Sequence, residues 1–211
     1  MGIRMDTRRA AAIAGMAGPA LFAAIFTVEG LLRPGYRPLA MFVSELSLGP
    51  RGWIQIASFI LYGASFLVFA RGMTRELRGA GASMLWGFGA ALILAGVFVM
   101  DPNGTPPPER TIHGRVHGLS GAYVFLGWPV CLFLLARAFR KDPAWRPYAA
   151  PTLLAALVTA VLLVALTYAS QEIQSGRSVP GLQVGLIQRA HIFTWLAWQF
   201  GAARRLRAPT A

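Results

Sequence analysis

Six long apolar stretches, at residues 10–28, 52–70, 79–100, 116–136, 147–171 and about 182–203, constrain this chain more than any other feature. All but the last are free of Asp, Glu, Lys and Arg. A hydrocarbon core of about 30 Å takes about 20 helical residues, and each stretch meets that length. The runs are continuous rather than alternating, which excludes barrel strands and leaves helices as the only spanning structure. Six such runs in 211 residues leave too little polar chain to coat a water-soluble bundle. The expectation is an all-α polytopic membrane protein: one domain over residues 1–211, with spans near 10–32, 52–71, 79–100, 113–136, 147–171 and 182–203.

Composition agrees, with 55% hydrophobic residues, 13% charged residues and a mean hydropathy of +0.53. Arg4, Arg8 and Arg9 precede the first run as they would in a signal peptide. That run is longer than a signal core, and five more follow it, so it reads as a retained helix. The net charge of +12 raises the question of nucleic acid, and the distribution of the charge answers it. Basic residues at 4, 8, 9, 71, 75, 78, 137, 140, 141, 146, 204, 205 and 207 fall on the side of the N-terminus. Arg33, Arg37, Arg51, Arg110, Arg115, Arg177 and Arg189 fall on the other. Thirteen against seven predicts that both termini face the cytoplasm and that the protein sits in the cell membrane. The expected partners are membrane lipids and not nucleic acid, and oligomeric state is left open. The one cysteine, Cys131, permits no intrachain disulfide and no Cys-based zinc site, and reads as a packing residue.

Small residues, including Gly15, Gly87, Gly89, Gly118, Gly121 and Gly127, predict close helix packing. The expected outer face holds Glu29, Glu45, Asp101, Glu109, Glu172 and all three histidines. In the first outer connection Leu39, Phe42, Val43 and Leu46 recur at helical spacing, which predicts a short interfacial helix with Ser44 and Glu45 turned from lipid. In the second, Pro102 ends the third span at Asp101, and Thr111 caps the fourth. His113 and His117, four apart, stack on one helix face and suit a shared metal, zinc or another divalent ion. A third ligand would come from Asp101, His191, Glu45 or Glu172. A structural role for the pair is the competing reading, as is, more remotely, a haem held by His117 and His191.

Arg189, inside the sixth run, calls for a partner: Glu29, Glu45, Asp101 or a bound anion. Snorkelling is the alternative, and Glu29 also stands at i, i+4 spacing from Arg33. Two function classes follow. One is a metal-dependent hydrolase or remodeller of a lipid or acyl substrate, with Glu45 and Asp101 catalytic, Arg189, Ser44 and Glu29 on substrate, and His113, His117, Asp101 and His191 around a metal. The other is a non-catalytic lipid-binding or small-solute transport protein whose polar cluster is a structural network. G-x-S-x-G is absent and no internal repeat is evident.

The segments Leu32-Arg33-Pro34-Gly35-Tyr36-Arg37-Pro38 and Ser44-Glu45-Leu46-Ser47-Leu48-Gly49-Pro50-Arg51-Gly52-Trp53 resemble a bacterial membrane family known as domain of unknown function 998. Asp101-Pro102, His113-Gly114 to His117, and Gly185-Leu186 to Arg189 fit the same pattern. The resemblance implies six spans and no assigned activity. The Ser44 to Gly49 stretch is also distantly similar to an outer loop of six-span proteins that remodel the lipid of glycolipid anchors.

Overall fold

Among the described residues six α-helices follow one another: α1 (Gly2–Leu32), α2 (Gly52–Glu76), α3 (Ala80–Val97), α4 (Ile112–Lys141), α5 (Ala149–Gln174) and α6 (Val184–Arg207). The computed structural model describes residues 2–174 and 183–207, and no strand occurs among them. Arg177, counted above on the outer side, and Leu182, the expected start of the sixth span, lie outside the described residues. Five helices, α1 to α5, are long and apolar enough to cross a membrane. α6 has 24 residues but a lower apolar content, because Gln188, Arg189, His191 and Gln199 sit on its buried face.

Each helix packs on its neighbours in sequence, and α6 closes the ring on α1. Arg8 Nε donates to the Leu206 carbonyl at 2.7 Å and lies 3.8 Å from the Glu76 carboxylate. The start of α1 and the ends of α2 and α6 therefore meet at one end, the Arg-rich end. At the opposite, loop end lie residues 33–51 and 98–111.

Aromatic rings fill the ring of helices. Phe22, Phe26, Tyr62, Phe66, Phe69, Phe88, Trp128, Trp195 and Trp198 are all buried, and neighbouring rings meet edge-on, as at Phe88 and Trp128 with centroids 4.8 Å apart. Several polar tips find partners in this core, although Trp128 Nε1 finds none. The Tyr62 hydroxyl donates to Gln199 Oε1 at 2.6 Å and accepts from Trp195 Nε1 at 3.0 Å. The opposite polarity holds outside, where Leu21, Leu61, Leu119, Val130, Leu154, Val161 and Val164 are exposed. An apolar belt around an aromatic interior is what a bundle solvated by lipid requires.

Close approach follows the small residues at several expected positions. A Cβ on Gly89 would lie 2.6 Å from Leu67 Cδ2, and one on Gly15 2.5 Å from Phe69 Cδ2. Gly118 and Gly121 behave differently: a Cβ on either meets nothing within 4 Å. They leave room rather than draw helices together. Cys131 is fully buried, with its thiol 3.2 Å from the Gly81 carbonyl, as a packing residue should be.

Candidate ligand cavity and the loop that roofs it

The first loop departs from the expected interfacial helix. Only one 3-10 turn forms, at Val43–Ser47, and Val43, Glu45, Leu46 and Ser47 are buried in it. Leu39 of the predicted apolar face is instead half-exposed. The reason lies on α6. Gly185 has no side chain, so the loop backbone descends onto it; a Cβ there would stand 2.4 Å from the Pro38 carbonyl oxygen and 2.5 Å from that of Met41. The Leu186 amide donates to the Leu39 carbonyl at 2.9 Å, and Gln188 Oε1 accepts from the Val43 amide at 2.8 Å.

Arg189 completes this attachment. Its Nη1 donates to the carbonyls of Pro38, Met41 (2.9 Å) and Gly185 (3.2 Å), and its Nη2 to the Tyr36 hydroxyl. The guanidinium also lies 6.0 Å from the Phe26 ring centroid and 5.6 Å from that of Tyr36. None of the expected partners, Glu29, Glu45 or Asp101, shares a hydrogen bond or ion pair with Arg189. Backbone carbonyls and the Tyr36 hydroxyl do that work, because a planar fork of donors can serve several neutral acceptors of one loop at once. Burial pushes the Tyr36 hydroxyl above its ordinary pKa, outweighing the hydrogen bond from Arg189.

Glu29 holds the far end of the same loop. Arg51, beside α2, pairs with it through two nitrogens, and Arg33 Nη2 lies 3.9 Å away. Arg33 Nη1 donates to the Leu48 carbonyl at 2.8 Å. Glu45 is buried; its Oε1 accepts from the Phe42 amide at 2.8 Å and from Asn103 Nδ2 at 3.2 Å. Burial raises its pKa, with the Phe42 amide and the charge of Arg189 working in the other direction.

Asp101 and Thr111 tie down the start of α4. The Asp101 carboxylate accepts from the Thr111 amide (3.0 Å) and hydroxyl (2.7 Å), and Thr111 Oγ1 accepts from the Gly114 amide at 3.0 Å, the cap that its position predicts. α3 ends at Val97, a few residues earlier than expected. His117 Nδ1 lies 3.0 Å from the carbonyls of both Ala95 and Phe98 at that end. Carbonyls only accept, so Nδ1 carries the proton and Nε2 is left as an acceptor. His113 is exposed against the Phe98 ring, whereas His191 is fully buried against Phe125 and Trp195, with neither nitrogen hydrogen-bonded. Among the described residues no group of three or more His, Cys, Asp or Glu side chains is placed to hold a metal.

Two cavities meet at His117. An outer one of about 360 Å³ is walled by Met100 to Pro107, Arg110, Gly114, His117 and Gly118. An inner one of about 50 Å³ lies between the helices under the Val43–Ser47 turn. Its polar lining is Ser44, His117, Ser120 and Gln188, set among Phe22, Phe59, Phe125 and Trp195, with Gly121 at its wall. No Asp, Glu, Lys or Arg lines the inner cavity. Ser120 and Gly121 follow His117 by three and four residues on α4, which puts all three on one face. Ser44 is the only one of the sequence-predicted candidates besides His117 to reach this space. Gln188, Ser120 and Gly121 were not anticipated, although their spacing from Arg189 and His117 was the available signal.

An exposed apolar shell and five span-capable helices around a mostly apolar cavity define a multi-pass membrane protein. The family model described as protein of unknown function (DUF998) matches residues 16–205, and the chain belongs to that family. No curated protein and no solved structure matches it.

Proposed function

We propose that this protein is a non-catalytic membrane receptor or carrier for a small, uncharged, hydrogen-bonding molecule that enters from the loop side. The observation that carries this is the double role of His117, which walls both the outer and the inner cavity. A mostly apolar hollow with a few convergent polar groups is the usual form of a small-molecule site. The absence of ionic groups from its lining argues for a neutral ligand, since a charge there would be desolvated without a partner. About 50 Å³ is well under the roughly 150 Å³ that holds a benzene, so the inner cavity admits only a molecule or substituent of a few heavy atoms.

The proposal includes six spans, with α6 as the sixth, and both termini in the cytoplasm of a cell whose membrane receives the chain; the excess of Arg at the end shared by Arg8 and Leu206 supports it. Thiol accessibility tests both orientation and route. With Cys131 replaced by Ala, Gly118→Cys and Gly121→Cys are exposed to a small membrane-impermeant thiol reagent outside intact cells. Both cysteines are expected to react, and His117→Trp is expected to protect Gly121→Cys while leaving Gly118→Cys reactive. Equal labelling of Gly121→Cys with and without the tryptophan would sink the proposed route.

Asn103 joins Glu45 to the loop that bears Asp101, which favours one second reading. It is a metal-dependent lipid hydrolase using Glu45 and Asp101, with His113, His117 and His191 as ligands and Arg189, Ser44 and Glu29 toward substrate. Stoichiometric zinc in purified protein, lost in the His113→Ala and His117→Ala variants, would favour it over the first.

A further inference from the structure

A separate cavity opens at the Arg-rich end, between the end of α2, the start of α3 and the end of α4. It measures about 800 Å³, and its rim carries Arg78, Arg137 and Lys141. Two carboxylates share the lining against three cations; one is paired outside the pocket, and the other is hydrogen-bonded to a backbone amide and keeps its charge. Glu76 lies 3.8 Å from Arg8, and Asp142 Oδ1 accepts from the Ala144 amide at 2.8 Å. The three cations have no hydrogen bond or ion pair among the described residues, so the pocket holds unbalanced positive charge. All three are exposed and therefore hydrated.

An apolar stripe on the surface of α4 leads away from the pocket. Val130, Phe133, Leu134, Arg137 and Lys141 recur at helical spacing along α4, and Val130 and Phe133 are exposed to the lipid side. Leu134 and Ala138 pave the pocket below the cations. A stripe that runs from exposed apolar side chains to unpaired cations at a span end matches the division of a phospholipid into acyl chain and phosphate.

We propose that this pocket seats the phosphate of an anionic phospholipid, with Arg78, Arg137 and Lys141 around the headgroup and an acyl chain along Val130 and Phe133. Lipid is favoured over free phosphate because the cationic rim continues directly into an apolar track that a soluble anion would leave unused. The site is remote from the inner cavity and does not depend on what binds there.

Native mass spectrometry of the detergent-purified full chain tests this, with phosphatidylglycerol and phosphatidylcholine supplied in equal amounts. Wild-type protein is expected to retain phosphatidylglycerol about tenfold over phosphatidylcholine. The combined variant Arg78→Gln, Arg137→Gln and Lys141→Gln is expected to bind the two about equally. A second variant, Arg204→Gln with Arg207→Gln, removes two cations of the same end and is expected to keep the preference. Arg137→Lys with Lys141→Arg, which keeps the charge, is expected to keep it too and shows that the site tolerates substitution. The proposal is overturned if the triple variant keeps the preference, or if the Arg204 and Arg207 variant loses it. It is equally overturned if millimolar inorganic phosphate displaces the lipid, which would mark a soluble-anion site.

Discussion

Replacing Arg189 by Met keeps most of its apolar stem and removes every donor, so the first loop should come loose while the helices stay. In the structure the guanidinium serves three carbonyls, those of Pro38, Met41 and Gly185, and the Tyr36 hydroxyl. The Gly185 carbonyl belongs to α6 itself, so three of these bonds hold the loop, and at about 1.5–3 kcal/mol for each bond to a charged donor the gross interaction is about 4.5–9 kcal/mol. Desolvating a buried guanidinium takes several kcal/mol of that back, which leaves a net cost of roughly 2–5 kcal/mol. That corresponds to an increase in loop opening of about 30-fold to a few thousandfold. Hydrogen exchange followed by mass spectrometry in nanodiscs reads it directly. Peptides covering residues 36–48 should exchange faster by that factor, while those from the middle of α2 and α3 should not change. Arg189→Lys should fall between the two, because one ammonium cannot reproduce the planar fork. If the loop keeps wild-type protection in Arg189→Met, the attachment is not made by Arg189 and the account of the loop is wrong.

Other consequences can be measured on the same preparations. Gly185→Val should destabilise the fold by about 1–3 kcal/mol through a backbone clash with residues 38–41 and so lower the thermal midpoint, and a wild-type midpoint would show that the loop can lift without cost. Glu45 binds its proton more tightly in the folded chain than in the unfolded one, so its contribution favours folding at low pH and is lost as pH rises above the ordinary carboxylate range through the raised value. Loop protection should therefore weaken between mildly acidic and neutral pH in wild type and lose that dependence in Glu45→Gln; an unchanged profile in the variant would assign the effect to another group. Thr111→Ala removes the cap of α4 and should cost about 0.5–2 kcal/mol in thermal stability, and a neutral result would mean that Asp101 alone holds that helix start.

The helices were legible because hydropathy reports span length directly, and α2 begins where its apolar run does. Thr111 was legible because capping depends on a local residue choice. The partner of Arg189 was not. Backbone carbonyls carry no signature in the residue letters, so a search for a matching acid pointed to Glu29, Glu45 and Asp101 while the acceptors were the carbonyls of Pro38, Met41 and Gly185. The burial of the first loop was hidden for a related reason: it depends on the missing side chain of Gly185, 147 residues after Pro38. Gly118 and Gly121 could be recognised as small, but whether a small residue admits a neighbouring helix or a cavity is decided by what stands opposite. The inner polar lining draws Ser44 from the loop, His117 and Ser120 from α4 and Gln188 from α6, positions that only the closed ring brings together.

Closure of that ring between α1 and α6 has a consequence for how the chain is made. The seam joins the earliest made of these six helices to the latest, so α1 to α5 form with one side open. α6 is also the least apolar of the six, and its Gln188, Arg189 and His191 are poorly suited to lipid on their own. Its carbonyl partners at Pro38 and Met41 already exist when it emerges, and the open side of the incomplete ring is where they stand. α6 is thus suited to a groove between α1 and α5, where protein rather than lipid meets its polar face.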